Sequence, residues 1–284
     1  MTLKEIEEVK KQFTKYMGKH NGYWRSSTNE VSSIVSRLNK LTFKQRSQLV
    51  NNSIDFEKCP DLKTKFKTSI LSLACLRNDI KLVEFLIKNC AANTETIVSL
   101  DEYELWDNIT FYTRPSQIDA NKYSSLFSIQ APVLWHCCRG SSIATIRTLI
   151  ENGADVNSRS ETALNSTPLM VACAKNRLDV VQYLIEKGAN VHEKNSYDET
   201  CLFYAVRHNE QCSKLISYLV SLGLDMNVKN IFNKTILNYS VELYNTDIML
   251  YLIENNYRKF DTESIESSLM TVAVAGMFKI IRLL

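Results

Sequence analysis

The residues with the clearest chemical potential are a histidine followed by two cysteines, His136-Cys137-Cys138. A thiolate beside an imidazole base is the pair that cysteine hydrolases use as nucleophile and general base. Adjacent residues of one helix, however, point about 100° apart, so they do not form a pocket alone. The two cysteines also stand where a later, similar segment has Ala172 and Cys173, which are typical packing residues. We therefore predict that the chain is not an enzyme.

The eight cysteines do not indicate a metal centre or a disulfide framework. No Cys-x-x-Cys pair of the kind that binds zinc occurs in the chain. Cys75, Cys138 and Cys173 instead occupy one position of a recurring pattern, which suits a small buried residue between helices. We predict structural thiols, no metal, no cofactor, and a reducing compartment inside the cell.

Composition and charge exclude several classes of function. The net charge of +3 is too small to indicate a nucleic-acid partner, and 45% hydrophobic with 23% charged residues is an ordinary globular composition. No apolar run reaches the ~18 residues that a membrane span needs, and the N-terminus lacks the apolar core of a secretory signal. We expect no nucleic acid and no membrane as partner, and a location in the cytoplasm, or in the nucleus as well.

The elements that must position these residues recur with a fixed period. Gly153, Gly188 and Gly223 are spaced 35 residues apart, and each closes a similar apolar phrase such as residues 180–188. A constant period of this size indicates stacked helical units that bury a core only against their neighbours. Such solenoids present an extended concave surface and usually bind other molecules rather than catalyse reactions.

The clearest unit spans residues 166–195. Thr167 is a suitable cap for a first helix, and Pro168 suits the first helical position, where a missing N–H costs nothing. Asp179 lies at the start of a second helix, at the positive end of its dipole. Gly188 is predicted to end that helix as a left-handed C-cap residue.

This order of elements resembles the ankyrin repeat, in which Thr-Pro-Leu-His opens the first helix, although Met170 replaces the histidine here. Further copies open near Ser69, Pro132, Thr200, Thr235 and Leu269. The predicted fold class is an all-α ankyrin-repeat solenoid, built of helix-turn-helix and hairpin-loop repeats, with an N-terminal helical cap. Residues 1–66 are predicted as a helical region that forms a degenerate repeat, and residues 67–284 as the ankyrin-repeat domain.

The end of the chain is apolar, whereas an ankyrin array normally ends in a polar capping repeat. The sixth repeat stops at Leu283-Leu284, inside the apolar stripe of its second helix. We therefore expect the chain to be a fragment or a truncated gene product.

A long insertion at about residues 93–130 separates the first clear repeat from the second. Connections of this size without helical periodicity are uncommon and often functional. This one combines aromatic residues with four acids, Asp101, Glu102, Glu104 and Asp107. Such a mixture can bind a cationic peptide, and it is also compatible with a loop whose aromatic groups merely pack on the repeats.

Four phrases between Thr68 and Ala205 occur in a characteristic order. They are Leu82–Cys90, Ala131–Trp135, Val156-Asn157 followed by Leu164–Leu169, and Asn195–Leu202. Together with the long linker after the first phrase, they resemble the Fem-one (feminization protein) family, ankyrin-repeat substrate receptors of cullin-RING ubiquitin ligases. The resemblance implies an adaptor that grips the C-terminal tail of a substrate protein, typically one ending in arginine. It also implies recruitment of the elongin and cullin-two machinery through a region beyond residue 284.

Two departures from that family affect the predicted peptide site. The family has an acid where this chain has Lys175, and a second acid where it has the neutral Ser124, whereas Trp135 and Ser166 are kept. A lysine would repel a terminal arginine rather than pair with it. Either the four linker acids bind the cation instead, or Lys175 now meets a carboxylate such as the C-terminus of the peptide. The predicted peptide-binding residues are Trp135, Ser166, Lys175, Asp101, Glu102, Glu104 and Asp107. The alternative function is a diverged ankyrin scaffold with no link to ubiquitin.

Overall fold

The computed structural model describes residues 28–51, 54–56, 66–101, 128–207, 212–243, 245–256 and 260–274. The chain divides into two compact units. The first comprises Met1–Trp106 with Pro115–Ala163, and the second Asp107–Arg114 with Leu164–Leu284. Residues 1–27 of the predicted N-terminal helical region lie outside the described residues, and the domain division at residue 66 stays a prediction.

The described part of the first unit starts with two helices, α1 (Thr28–Asn39) and α2 (Phe43–Asn51). Ile34 and Leu38 lie one turn apart on α1 and are buried, as their spacing predicts. Helix α2 starts after a reciprocal cap. The Gln45 backbone N–H donates to Thr42 Oγ1, and the Gln45 side-chain oxygen accepts from the Thr42 backbone N–H.

Two helix pairs of the repeat type follow in this unit. They are α3 (Ile70–Leu76) with α4 (Ile80–Cys90), and α5 (Val133–Gly140) with α6 (Ile143–Glu151). Ser69, Asp79 and Ser142 cap α3, α4 and α6 by accepting a backbone N–H. The turn between α5 and α6 is tied to the neighbouring repeat, because the Ser141 hydroxyl donates to the Cys75 carbonyl at 3.0 Å.

A four-stranded antiparallel sheet was not expected from the sequence. Its strands β1 (Ile54–Phe56), β2 (Phe66–Thr68), β3 (Ile97–Asp101) and β4 (Ser128–Pro132) lie in chain order. β3 and β4 are the two ends of the predicted insertion, paired in register from Ile97 opposite Pro132 to Asp101 opposite Ser128. The strands form because Ile129 and Ala131 alternate with polar residues and bury one face, a period of two that a search for helices overlooks.

The described part of the second unit contains three helix pairs and one further helix. They are α7 (Pro168–Ala174) with α8 (Leu178–Glu186), α9 (Cys201–Val206) with α10 (Ser213–Ser221), α11 (Ile236–Glu242) with α12 (Thr246–Asn256), and α13 (Thr262–Val274). The first helices α7 and α9 are short, and every one of their side chains is buried. Thr167 caps α7 at the Met170 N–H with Pro168 at the first position, which confirms the predicted helix start.

The recurring glycines end their helices as predicted. Gly188 has φ +92° and Gly223 has φ +87°, and the backbone of a residue with a side chain would be strained at these angles. The chain reverses at Gly188, and the Ala189 N–H then donates to the Leu184 carbonyl at 2.9 Å. This closure satisfies a carbonyl that the helix end would otherwise leave open.

The start of the sixth repeat differs from the prediction. Helix α13 begins at Thr262 rather than near Leu269, because its packing on α11 uses small polar residues that an apolar pattern does not reveal. The Asn238 side chain donates to the Ser264 carbonyl at 3.1 Å and to the Ser268 hydroxyl at 2.9 Å. The predicted second helix, with Ile280 and Ile281, lies outside the described residues.

Candidate protein-binding surface

The residues first considered for catalysis are buried packing residues in the first unit. His136, Cys137 and Cys138 expose 2% or less of their surface, and His136 Nε2 lies 3.4 Å from the Val98 carbonyl of β3. Burial lowers the pKa of His136 to about 3, so the ring is neutral at physiological pH. In the neighbouring repeat, burial raises the pKa of the Cys75 thiol well above its usual range, which disfavours a nucleophilic thiolate at Cys75. No group of metal-binding side chains occurs among the described residues.

The predicted peptide-binding residues fall in different environments. Trp135 and Ser166 each expose 0% of their surface, Trp135 in the first unit and Ser166 in the second. Lys175 follows α7 as its C-cap residue and is half-buried. Asp101 is the last residue of β3, while Glu102, Glu104, Asp107 and Ser124 lie outside the described residues. Their shared role in a peptide site stays a prediction.

The second unit holds its hairpin loops with a repeated asparagine. Asn195 Oδ1 accepts the Tyr197 N–H at 2.8 Å and the Glu199 N–H at 2.9 Å. Thirty-five residues later, Asn230 Oδ1 accepts the Phe232 N–H at 3.0 Å and the Lys234 N–H at 3.1 Å. An asparagine side chain that copies a backbone turn in this way fixes the loop without regular secondary structure.

Successive hairpins are joined by backbone hydrogen bonds. The Ser196 N–H donates to the Leu164 carbonyl at 2.8 Å, and the Ile231 N–H donates to the Tyr197 carbonyl at 3.0 Å. Tyr197 therefore takes the place that Leu164 holds in the preceding hairpin. The two are 33 residues apart rather than 35, because the first hairpin loop is two residues longer.

This ladder brings four apolar side chains together, which we call the tip surface: Leu164, Tyr197, Ile231 and Phe232. Ile231 and Phe232 expose 53% and 47% of their area, and Leu164 and Tyr197 are half-buried. The Tyr197 and Phe232 rings meet edge to face with centroids 5.6 Å apart. Adjacent exposed apolar groups on ordered loops are typical of a protein-binding surface.

A buried ion pair lies at the base of the hairpin that contains Tyr197. Arg207 Nη2 donates to Glu199 Oε2 at 2.7 Å, and the two side chains are 1% and 0% exposed. Arg207 Nε also donates to Tyr239 Oη at 2.9 Å, which connects two repeats. Asn195 Nδ2 donates to both Glu199 Oε2 and Tyr204 Oη, at 2.8 and 2.9 Å. The asparagine that shapes the hairpin thus anchors it to buried charges.

The electrostatics of this network keep Arg207 charged. Burial by itself disfavours the charged guanidinium, but Tyr239, Glu199 and Tyr204 more than offset it and hold the pKa of Arg207 above its usual value. Burial raises the pKa of Tyr204, although the nearby Arg207 opposes the rise. The guanidinium carbon lies 4.5 Å from the Tyr204 ring centroid, a cation–π contact.

The next repeat has an ion pair at the same two positions with its charges exchanged. Lys234 stands 35 residues after Glu199, and Glu242 stands 35 residues after Arg207. Lys234 Nζ pairs with Glu242 Oε1, but these side chains are 33% and 30% exposed. Both repeats therefore use these two positions to join the hairpin to the first helix. The two pairs differ in which position carries the positive charge and in how deeply they are buried.

The tip surface was missed in the sequence analysis because its members do not form a motif of reactive residue types. The available signal was the spacing of 35 between Asn195 and Asn230 and between Tyr197 and Phe232. An asparagine followed two residues later by an aromatic group, in two successive loops, indicates an ordered loop with an exposed ring.

Comparison with known proteins agrees with this repeat architecture. Residues 133–230 match a family model described as ankyrin repeats, in three copies. No curated protein matches the chain. No helix within the described ranges is long and apolar enough to cross a membrane. The thirteen mainly short helices of the described residues and the matched repeats confirm the predicted all-α ankyrin solenoid. Residues 133–230 are therefore ankyrin repeats, and such repeats typically serve as non-enzymatic scaffolds for protein–protein interactions.

Proposed function

We propose that this chain is an adaptor that captures the C-terminal tail of a partner protein and presents it for ubiquitination. The observation that carries the binding role is the tip surface, where Ile231 and Phe232 stand exposed on an ordered loop. Because about half of each side chain is already covered, burying the rest contributes about 1 kcal/mol each to the binding of a partner segment.

The charge at Lys175 supports recognition of a chain end. Lys175 lies in the same unit as the tip surface, in the turn after the first helix of its repeat. An ammonium group there favours a carboxylate, and every free C-terminus supplies one whatever its last side chain is. The alternative proposal is that the acids Asp101, Glu102, Glu104 and Asp107 take over the binding of a cation, such as a basic side chain of a partner tail.

The link to ubiquitin rests on the resemblance to the Fem-one family. All four phrases of that resemblance fall on described residues: Leu82–Cys90, Ala131–Trp135, Val156-Asn157 with Leu164–Leu169, and Asn195–Leu202. In this proposal the ankyrin repeats select the substrate, and the elongin and cullin-two complex is a partner only if the protein has a further region beyond residue 284.

A diverged ankyrin scaffold that binds a whole folded partner is the second candidate. Ile231 and Phe232 favour it, because an apolar pair on a protruding loop can dock on a flat surface as well as on a tail.

A peptide array separates the two candidates. The purified chain is tested against immobilised peptides with every possible C-terminal residue, each made with a free carboxylate and with a C-terminal amide. The adaptor proposal requires selective capture of the free acids, by about tenfold or more over the amides. Equal binding of acids and amides, or no binding, would favour the scaffold.

Charge-reversal variants test the role of Lys175. We expect Lys175→Glu to lose capture of free acids and to gain tails that end in arginine. Lys187→Glu is the matched control. Lys187 follows the C-terminal end of α8, about 13 Å along the helix from the end that lies near Lys175 in sequence. Replacing all four linker acids by alanine should weaken the binding of basic tails, and unchanged binding would refute their proposed role.

A further inference from the structure

A recess lies on the second helices of two neighbouring repeats, apart from the tip surface. It has a volume of about 470 Å³ and runs along α10 to one residue of α12. Its lining consists of Ser213, Lys214, Ser217, Tyr218, Ser221 and Tyr251. All of these residues belong to the second unit.

The chemistry of the lining is uniform. Five of the six side chains carry a hydroxyl group, the sixth is an ammonium, and none of the described residues lines the recess with a carboxylate. Among the described residues Lys214 forms no ion pair, and its side chain is exposed. The Ser221 hydroxyl is already used, because it donates to the Tyr218 carbonyl at 2.7 Å. Hydroxyl and ammonium donors without a competing acid favour an anionic ligand.

The recess exists because small residues replace large ones at fixed positions of the repeat. Ser213, Ser217 and Ser221 lie on one face of α10. The residues 35 positions earlier, on α8, are longer: Leu178, Gln182 and Glu186. The aromatic ring is retained, since Tyr218 corresponds to Tyr183, but Tyr183 is 2% exposed whereas Tyr218 is half-buried.

The same comparison shows a local reversal of charge. Lys214 corresponds to Asp179 of α8, and Ser221 corresponds to Glu186. Two carboxylates of one repeat are therefore replaced by a lysine and a neutral hydroxyl in the next. The α10 face differs from its neighbour in the two properties that an acidic ligand needs, which are space and positive charge.

We propose that this recess binds an acidic peptide segment of a protein partner. An Asp or Glu carboxylate of the segment pairs with Lys214, hydroxyl groups such as that of Ser217 donate to it, and the Tyr218 and Tyr251 rings cover its apolar stem. This site uses an internal acidic side chain, so it does not rest on capture of a chain end by the tip surface.

The test uses the full chain and a library of nine-residue peptides with acetylated and amidated ends. Each peptide carries one central Asp or Glu, and each has a twin with Asn or Gln at that position. We expect the acidic peptides to be retained and their neutral twins to bind about tenfold more weakly or worse. Equal retention of the twins would overturn the proposal.

Three variants assign the binding to the recess. Lys214→Glu restores an acid at the position of Asp179 and is expected to abolish retention of acidic peptides. Lys81→Glu is the control, because Lys81 is an exposed residue at the equivalent position of α4 and does not line the recess. Ser217→Gln copies the residue of the preceding repeat, fills the recess without changing charge, and should weaken binding as well. Binding that survives both recess variants, or that Lys81→Glu lowers equally, would refute the site.

Discussion

The buried ion pair of Glu199 and Arg207 allows a sharp test of how the hairpin is anchored. Glu199→Ala leaves a guanidinium whose side chain is 1% exposed without its carboxylate partner. It also removes the acceptor that Asn195 Nδ2 reaches at 2.8 Å. Breaking a buried pair from one side costs about 3–5 kcal/mol, and the lost asparagine bond adds about 1 kcal/mol. Arg207 keeps its bond to Tyr239, which places our expectation near 4 kcal/mol.

The pair Lys234 and Glu242 is the matched control for this experiment. It joins the same two positions of the next repeat, but its side chains are about one-third exposed. Lys234→Ala is therefore expected to cost no more than about 1 kcal/mol. Both variants are measured by urea unfolding of the full chain, followed by far-ultraviolet circular dichroism. A cost for Glu199→Ala as small as that of Lys234→Ala would refute the reasoning from burial.

Three further predictions concern other parts of the chain. The pKa of His136 falls from 6.5 to about 3 on folding, so stability is full above pH 6.5 and is lost as the pH falls toward 3, by an amount of order 4 kcal/mol. His136→Gln should flatten this slope in pH-dependent unfolding, and an unchanged slope would contradict the assignment. Gly188→Ala should cost about 1–2 kcal/mol in thermal unfolding, because φ is +92° there, while Gly140→Ala should be nearly neutral since its added Cβ meets nothing within 4 Å and its φ is not positive. Hydrogen exchange should be faster after about Glu263 than in α9, in line with the 72% exposure of Met270, and equal protection would point to a cap or a partner.

The repeat core could be predicted from sequence because its signal is repeated. Gly188 and the stripe around Leu184 recur 35 residues later, and Thr167 has counterparts in Thr200 and Thr235, so the local preferences of several units support one another. The predicted start of α7, the glycine positions and the burial of Cys75, Cys138 and Cys173 agree with the structure for this reason.

The sheet and the tip surface could not be predicted in the same way. The strands β3 and β4 pair across an insertion of 26 residues between Asp101 and Ser128, and no local pattern specifies that pairing. A match to a family phrase, as at Trp135, indicates that a residue type is kept but not whether it is kept for packing or for contact. The full burial of Trp135 shows how strongly packing alone constrains such a residue.

The exchanged polarity of the two ion pairs bears on protein engineering by consensus. Averaging the columns of an alignment of repeats treats each position independently, so it can choose Glu for the column of Glu199 and Lys234 and again Glu for the column of Arg207 and Glu242. Two like charges would then face each other at a site that is fully enclosed in one of these repeats. A consensus array derived from this protein must therefore take both residues of the pair from the same repeat.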